Sequence, residues 1–272
     1  MLAALLPGQA AAEDGAWDRI TSIVASVEEG LDALWPDRLE RDELSLRLGV
    51  GVAVGPDYLG SDDYRVRPIP RVELRYRDLV RLDTTKLRYN LVRAGRFRAG
   101  PLVNYRFGRG DGRNPALAGL GDISDTVELG GFFELAHRAV LLSGDVRQAV
   151  GAGQGTTARV TIGHGVYSDE MWRVGIGLRA HWGSARHART NFGITPEQAA
   201  ASEAGLEVFE PDGGFTRVGL FVVARADLTD QWRLIGGLGA SRLLGDAADS
   251  PLVADAGSPN QVYAGFGLSY AF

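Results

Sequence analysis

Apolar and polar residues alternate one by one over long segments of this chain, and this pattern restricts the possible folds more than any other feature. In residues 44–55, the even positions carry Leu or Val and the odd positions carry Ser, Arg, Gly or Ala. A period of two puts the two sets on opposite faces of a β-strand. About ten such segments follow one another between residues 44 and 272, so the sequence predicts an all-β fold.

Segment length and aromatic placement distinguish a membrane barrel from a soluble one. A soluble barrel or sandwich also alternates, but it buries its apolar face. The segments run about 12–14 residues, whereas soluble strands are mostly about 5–6 residues long and a tilted transmembrane strand needs about 9–11. We therefore predict a transmembrane antiparallel up-and-down β-barrel. Aromatic residues near the segment ends fit the girdles of such barrels: Tyr76, Phe107, Trp172, Trp182, Trp232 and Phe272.

The strand number follows from closure of the barrel. Both barrel ends should lie in the periplasm, which requires an even number of strands. The clear segments and a short hairpin formed by residues 79–83 and 87–92 give about twelve strands, although ten or fourteen also fit. Tight turns fall on one side of this arrangement. Long connections fall on the other side, at residues 56–64, 109–124, 183–214 and 245–260.

One of the long connections contains a helix signal. Thr195 and Gln198 form a capping-box pattern, with Pro196 at the first helical position. This predicts a short helix that continues through Ala201. Such a helix either folds into the lumen or lies above its mouth.

Composition excludes several classes of protein. The chain has no cysteine, which excludes a disulfide scaffold, a thiolate metal site and a cysteine nucleophile. The net charge of −5 gives no indication of a nucleic-acid partner. No run of about 18 apolar residues exists, so the sequence predicts no transmembrane helix.

The N-terminal region differs from the alternating part, which we assign as the barrel domain, residues 44–272. Residues 1–12 are apolar and Ala-rich and end in an A-x-A pattern, which predicts the remnant of a signal peptide. Residues 13–43 predict a periplasmic amphipathic helix and linker. Residues 13–40 hold eight acidic residues against two arginines, so the helix should pack on protein rather than on anionic lipid. That protein is its own barrel, a second copy or a partner. The apolar stripe comprises Trp17, Ile20, Val24, Val27, Leu31 and Leu34.

Charged residues concentrate on the face predicted to line the lumen. This face suits either a pore that prefers anionic solutes or a lumen filled by Arg–carboxylate networks. Because a twelve-stranded lumen is narrow, we favour the filled lumen. The predicted lumen-lining residues are Arg47, Arg71, Glu73, Arg75, Arg98, Arg106, Glu128, Glu134, Asp145, Arg147, Arg159, Arg173, Arg179, Arg217 and Arg225.

Two loop segments resemble the motifs of a known family. The first contains Pro56, Tyr58, Gly60, Ser61 and Tyr64, and the second contains Phe192, Gly193, Ile194 and Thr195. Together they are similar to the first-hairpin and later-loop motifs of the MipA/OmpV family of outer-membrane proteins. Asn191 departs from the family pattern, which usually has an aromatic residue there. The terminal Phe272, with Phe266, Leu268 and Tyr270 at alternate positions, is similar to the signal read by the outer-membrane barrel-assembly machinery.

The resemblance implies a barrel in contact with the lipid of a Gram-negative outer membrane. It further implies a scaffold, because the family is named for its interaction with the lytic transglycosylase MltA, which it joins to a bifunctional peptidoglycan synthase. Other members are linked to passage of solutes or antibiotics and to adhesion. A narrow channel for small, anionic solutes is therefore the alternative hypothesis.

No residue pattern indicates catalysis, a cofactor or a metal ion. The four histidines, His137, His164, His181 and His187, form no recognised pair of metal ligands. Outer-membrane lipases of twelve strands need a Ser–His arrangement on the lipid-facing rim, and His164 has the parity to reach it. A lipid-modifying enzyme is therefore a third hypothesis, without a companion Ser/Asn pattern to support it. We predict a non-enzymatic protein.

Overall fold

Antiparallel strands form a closed barrel in the computed structural model, which describes residues 44–272. Consecutive strands pair, and the first strand pairs with the last. The strands are β1 (Leu44–Pro56), β2 (Tyr64–Tyr76), β3 (Val80–Asp83), β4 (Lys86–Tyr89), β5 (Val92–Ala94), β6 (Phe97–Arg106), β7 (Thr126–His137), β8 (Val140–Val150), β9 (Thr156–Ser168), β10 (Trp172–Gly183), β11 (Gly214–Asp227), β12 (Trp232–Leu243) and β13 (Asn260–Ala271).

The ring closes through the short hairpin predicted from the sequence. β4 and β5 both pair with β6, and they are two parts of one strand interrupted at Asn90 and Leu91. Counted in this way, the barrel has twelve strands, as predicted. Large apolar side chains project from its outer wall, among them Val50, Leu220 and Phe266. An apolar outer band of this extent is the lipid-facing surface of a transmembrane barrel.

The barrel wall is lowest at the hairpin β3–β4. Because β3 pairs only with the last four residues of β2, residues 64–71 have a strand partner only in β1. The Val72 N–H donates to Thr84 Oγ1, and the Val72 carbonyl accepts from the Thr84 N–H. Backbone groups two and four residues earlier point to the same side. Those residues are Pro68 and Pro70, which carry no N–H on this unpaired edge.

The connections fall on two sides, as the sequence predicted. The long ones, residues 57–63, 107–125, 184–213 and 244–259, lie at what we call the loop end. Most of the short turns, together with Leu44 and Phe272, lie at the opposite turn end; the turns at Thr84 and Ala152 point toward the loop end. Short turns and chain ends mark the periplasmic side of outer-membrane barrels.

Four short α-helices lie in the described long connections: α1 (Ala185–Phe192), α2 (Pro196–Ala201), α3 (Asp246–Asp249) and α4 (Pro251–Ala254). Two 3-10 helices, Asp111–Arg113 and Pro115–Leu117, lie in the loop after β6. The capping box predicted at Thr195 is present, and both of its hydrogen bonds form. Gln198 Nε2 also donates to the Leu120 carbonyl, which ties α2 to residues 107–125 above the strands. The sequence analysis did not predict α1, α3 or α4. Of these three, only α1 has a side-chain cap, in which the Ser184 hydroxyl accepts from the His187 N–H.

Predictions for residues 1–43 fall outside the described part of the chain. They are the signal-peptide remnant at residues 1–12 and the helix with its stripe from Trp17 to Leu34, and both stay predictions. Within residues 44–272, no helix is long and apolar enough to cross a membrane.

Candidate functional site: the lumen and its cap

Glu73 is a buried acid that is shared by three arginines. Its carboxylate pairs with Arg71, Arg75 and Arg81, and only 3% of its side chain is exposed. These residues sit near the turn end of β2 and β3, where odd positions face the lumen. Several guanidinium groups thus share the Glu73 carboxylate. Arginine suits this arrangement because its planar fork of donors binds carboxylate oxygens.

Asp227 repeats this arrangement at the turn end of β11. It pairs with Arg173, Arg225 and Arg233, and Arg233 Nε lies 2.8 Å from Asp227 Oδ1. Arg225 is fully buried. Because a buried cation is costly without a partner, Asp227 is needed to keep this part of the lumen folded.

Glu128 holds a third network nearer the loop end. It pairs with Arg106 at 2.6 Å and with Arg147 at 3.3 Å. Arg147 also pairs with Asp145, which accepts from Arg159 at 2.6 Å. The chain of alternating charges crosses from β6 to β9 and ties four strands together from the inside.

These networks occupy much of the lumen outside the loop-end cavity described below. Glu128 and Arg225 have no exposed surface at all, although a water-filled channel would leave inward polar groups accessible. All the predicted lumen-lining residues are buried or half-buried: Arg47, Arg71, Glu73, Arg75, Arg98, Arg106, Glu128, Glu134, Asp145, Arg147, Arg159, Arg173, Arg179, Arg217 and Arg225.

The sequence analysis missed acids that complete the networks. Asp227 shares its parity with Arg217 and Arg225, so the alternation itself contained the signal for it. Asp83 at the end of β3 was missed in the same way. Asp57 lies in a loop, where no periodicity marks a residue as buried.

Four loops meet in a hydrophobic cluster at the loop end. We call this cluster the cap and define it as Tyr58, Leu117, Leu120, Ile194, Leu206 and Leu252. The Tyr58 hydroxyl donates to the carbonyl oxygens of Ala256 at 2.8 Å and Leu252 at 3.3 Å. Burial raises the pKa of Tyr58 to about 12, and Asp62 adds to the shift. The cap brings Tyr58 of the first motif against Ile194 of the second.

The other motif residues support the same contact between loops. Gly60 has φ +99, and a Cβ there would overlap the side chain of Val253, so only glycine fits. Phe192 is fully buried against Leu243 and Val253, beside the cap. Pro56 and Ser61 are buried, Gly193 is half-buried, and Tyr64 and Thr195 are exposed.

Asp57 joins the first loop to residues 107–125. Its carboxylate lies 2.9 Å from Arg67, 3.0 Å from Arg113 and 3.1 Å from Arg65. The loop that follows β6 is thereby fixed across the low part of the wall beside β2. This contact attaches the loop after β6 to the barrel rim.

A cavity of about 130 Å³ lies in the loop end of the lumen. His181 and His187 line it, and each contacts an arginine: His181 Nε2 accepts from Arg217 at 3.0 Å, and His187 Nδ1 lies 3.5 Å from Arg106. His164, by contrast, is exposed on the outer wall. Within residues 44–272, no cluster of His, Cys, Asp and Glu is arranged to hold a metal ion.

The turn end presents arginines at unusual backbone angles. Arg77 has φ +50 and Arg138 has φ +53, in the left-handed region that favours glycine. Both side chains are exposed beside the periplasmic ends of the strands. In the described part of the chain, two other residues adopt a positive φ without being glycine, Thr84 and Ala152, and these lie in turns that point toward the loop end.

The C-terminal strand carries its apolar residues on the outer wall. Phe266, Leu268 and Phe272 are exposed, and Tyr270 is half-buried. The rings of Trp232, Tyr270 and Phe272 form a ladder with 5.0 Å between successive centroids. This ladder lies at the turn end, where an aromatic girdle meets the membrane interface.

Comparison with protein families identifies the chain. The family model described as MltA-interacting protein MipA matches residues 48–272, which is nearly the whole described barrel and includes both loop motifs. The chain belongs to this family. The resemblance found in the motifs is confirmed, and a MipA-family barrel of this kind resides in the outer membrane of Gram-negative bacteria.

Solved structures offer only distant likenesses. The COG4313 outer membrane channel from Pseudomonas putida F1 is 12% identical with a TM-score of 0.43, over 85% of this chain and 96% of that chain. The NanC porin is 7% identical with a TM-score of 0.40, over 84% of this chain and 98% of that chain. No curated protein sequence matches the chain significantly.

Proposed function

We propose that this protein is a non-enzymatic outer-membrane scaffold that binds peptidoglycan-remodelling enzymes. The family description supplies the partner, the lytic transglycosylase MltA, and we extend it to a peptidoglycan synthase that works with that enzyme. The observation that carries the proposal is the filled lumen, since fully buried Glu128 and Arg225 favour a role at the barrel surface over passage of solutes.

The turn end is the surface that we assign to the partner. It faces the periplasm, where the cell wall and its enzymes lie. An L-residue at positive φ costs about 1 kcal/mol more than glycine. Backbone conformation alone therefore favours glycine over arginine at Arg77 and Arg138, and this supports a contact role for both exposed side chains, although Arg77 also lies over the ring of Tyr76 at 5.5 Å.

Affinity capture of purified MltA by the refolded full chain tests the proposal. Replacing both Arg77 and Arg138 by glycine relieves backbone strain, so the barrel should fold at least as well as the wild type. Capture should weaken about tenfold or more, because two exposed charges are lost from the binding surface.

The matched control replaces Thr84 and Ala152 by glycine. These residues have the same backbone signature but lie in turns that point toward the loop end, so their replacement should leave capture unchanged. Capture that survives the Arg77 and Arg138 change would exclude the turns. A wild-type barrel that captures no MltA would exclude the scaffold itself.

The predicted N-terminal helix needs its own variant. Deleting residues 13–36 removes the apolar stripe and most of the acidic residues of this segment, and it changes none of the barrel strands. Reduced capture would assign part of the binding to this segment. Unchanged capture would remove it from the proposal.

Conductance in a planar bilayer separates the scaffold from the channel hypothesis. A filled lumen predicts that the inserted barrel stays silent. Stable conductance steps with anion preference would instead favour a channel whose arginines select the solute.

A further inference from the structure

The wall of the loop-end cavity carries more positive than negative charge. Charged side chains that line it are Arg106, Arg109, Arg147, Arg159, Arg217 and Asp145. Glu128 pairs with Arg106 and Arg147 from behind, and Asp145 pairs with Arg147 and Arg159. Two arginines of the wall, Arg109 and Arg217, form no ion pair within residues 44–272.

Arg109 is a half-buried cation that forms no ion pair within residues 44–272, although Asp111 lies in its loop and favours its charged form. Its backbone forms a bridge with Ile123 that fixes the residue in the loop after β6. Its Nε is buried and has no hydrogen-bond partner in the described part of the chain. Burial lowers the pKa of Arg109 to about 10, so the group still carries its charge at neutral pH.

Arg217 faces the same cavity from β11 and has only neutral partners. Its Nη1 donates to Tyr263 Oη at 3.2 Å, and its Nη2 donates to His181 Nε2 at 3.0 Å. Arginine can only donate, so His181 Nε2 is an acceptor here and the imidazole proton lies on Nδ1. The pair therefore adds a positive charge and a neutral ring N–H donor to the wall of the cavity.

Two arginines without an ion pair beside one partly open cavity favour a negatively charged ligand. A buried charge without a partner is costly, and a buried donor without an acceptor indicates an unfilled ligand position. Guanidinium groups bind phosphate and carboxylate oxygens through paired hydrogen bonds. The volume of about 130 Å³ holds several water molecules or one small oxyanion.

We propose that this cavity is a binding site for a phosphate group, held by Arg109 and Arg217 with help from His181. The phosphate comes either from free inorganic phosphate or from a lipid headgroup at the membrane surface. The site lies at the loop end, on the opposite side from the turns assigned to the partner enzymes, so the two proposals stand or fall separately.

Isothermal titration of the refolded full chain in detergent, at constant chloride, tests the site with inorganic phosphate. We expect saturable binding of one phosphate per chain below about 10 mM. Arg109→Gln and Arg217→Gln should each weaken binding by about tenfold or more, because each removes a charge-assisted hydrogen bond. The control is Arg189→Gln, which changes an exposed arginine of α1 that pairs with Glu210 outside the cavity.

If Arg217→Gln misfolds, Arg109→Gln can still be titrated, because Arg109 lies in a loop outside the strands and its replacement should leave the barrel folded. Titration with a short-chain phosphatidic acid identifies the source, since a lipid ligand would bind and compete with inorganic phosphate. Absence of saturable binding of either compound would overturn the proposal. So would wild-type affinity in both folded cavity variants.

Discussion

The lumen and the cap are both buried, but they are stabilised by opposite means. In the lumen, Glu73 and Asp227 are each shared by three arginines. In the cap, apolar side chains such as Leu117 and Ile194 pack together like the core of a soluble protein. The strands must give their apolar residues to lipid, so period two leaves polar residues for the inside. The loops lie outside the bilayer and are free of that requirement.

The two regions should therefore fail in different ways. A lumen acid is connected to several strands, so its loss should weaken the whole barrel. The cap connects loops to one another, so its loss should open the loops and leave the strands paired. Each of the following changes tests that separation.

The largest effect is expected for Glu128→Gln. It removes the charge of a fully buried carboxylate that pairs with Arg106 and Arg147, which should lower the free energy of unfolding by about 3–5 kcal/mol. Equilibrium unfolding in urea, followed by tryptophan fluorescence in lipid vesicles, measures the change. Glu170→Gln at an exposed turn is the control and should change stability by less than about 0.5 kcal/mol. Equal stability of the two variants would contradict the role of the network.

Leu117→Ala should act on the cap alone. Removing a fully buried leucine side chain costs about 2–5 kcal/mol, and here this should lower the free energy of opening the loops. Trypsin should then cleave after Arg109 or Arg113 at least about tenfold faster, while urea unfolding of the barrel stays unchanged. Val208→Ala, at an exposed loop position, should leave cleavage as it is. A barrel that unfolds together with its cap would show that the two regions are one cooperative unit.

Gly119→Ala should open the cap less than Leu117→Ala does. Comparison with Gly121→Ala separates the effect of backbone strain from that of steric overlap. Gly119 has φ +88, and a Cβ there would overlap the carbonyl oxygen of Ala201 in α2. Gly121 has φ +73 but faces open space. Gly121→Ala should therefore cost only backbone strain of about 1 kcal/mol, and Gly119→Ala about 2–3 kcal/mol. The same trypsin assay measures both, and equal rates would show that α2 does not rest on this loop.

The smallest effect concerns pH. Tyr58 keeps its proton up to about pH 12 in the folded cap, whereas in the unfolded chain it ionises near 10. Its contribution to stability is therefore complete below about pH 10 and is lost as the pH rises toward 12. Absorbance of tyrosinate at high pH, compared between the wild type and Tyr58→Phe, should show one tyrosine that titrates late. A difference curve centred near pH 10 would mean that Tyr58 is not buried.

Much of the barrel could be predicted from the sequence because each strand position has only two possible directions. The alternation gave the membrane face, the twelve strands and the side of each connection. It also contained Asp227, which shares the parity of Arg225 and was missed only because it ends a strand.

The cap could not be predicted in the same way. Tyr58, Leu117 and Ile194 come from three different loops, and their contact depends on distances between loops that no local pattern encodes. The cavity could not be predicted for the same reason. Arg109 and Arg217 are far apart in sequence, and only closure of the barrel brings both to the cavity wall. The helix α2 was the exception, since its capping box is a local signal.

The prolines on the unpaired edge of β2 limit how this barrel can associate with other chains. An incoming strand from another chain would find carbonyl acceptors at Pro68 and Pro70 but no donors, so it could not complete a ladder there. The low part of the wall is thereby protected against edge-to-edge growth without needing a strand to cover it. Even beside copies of itself in a membrane, the barrel should not pair with a neighbouring strand at this low part of its wall.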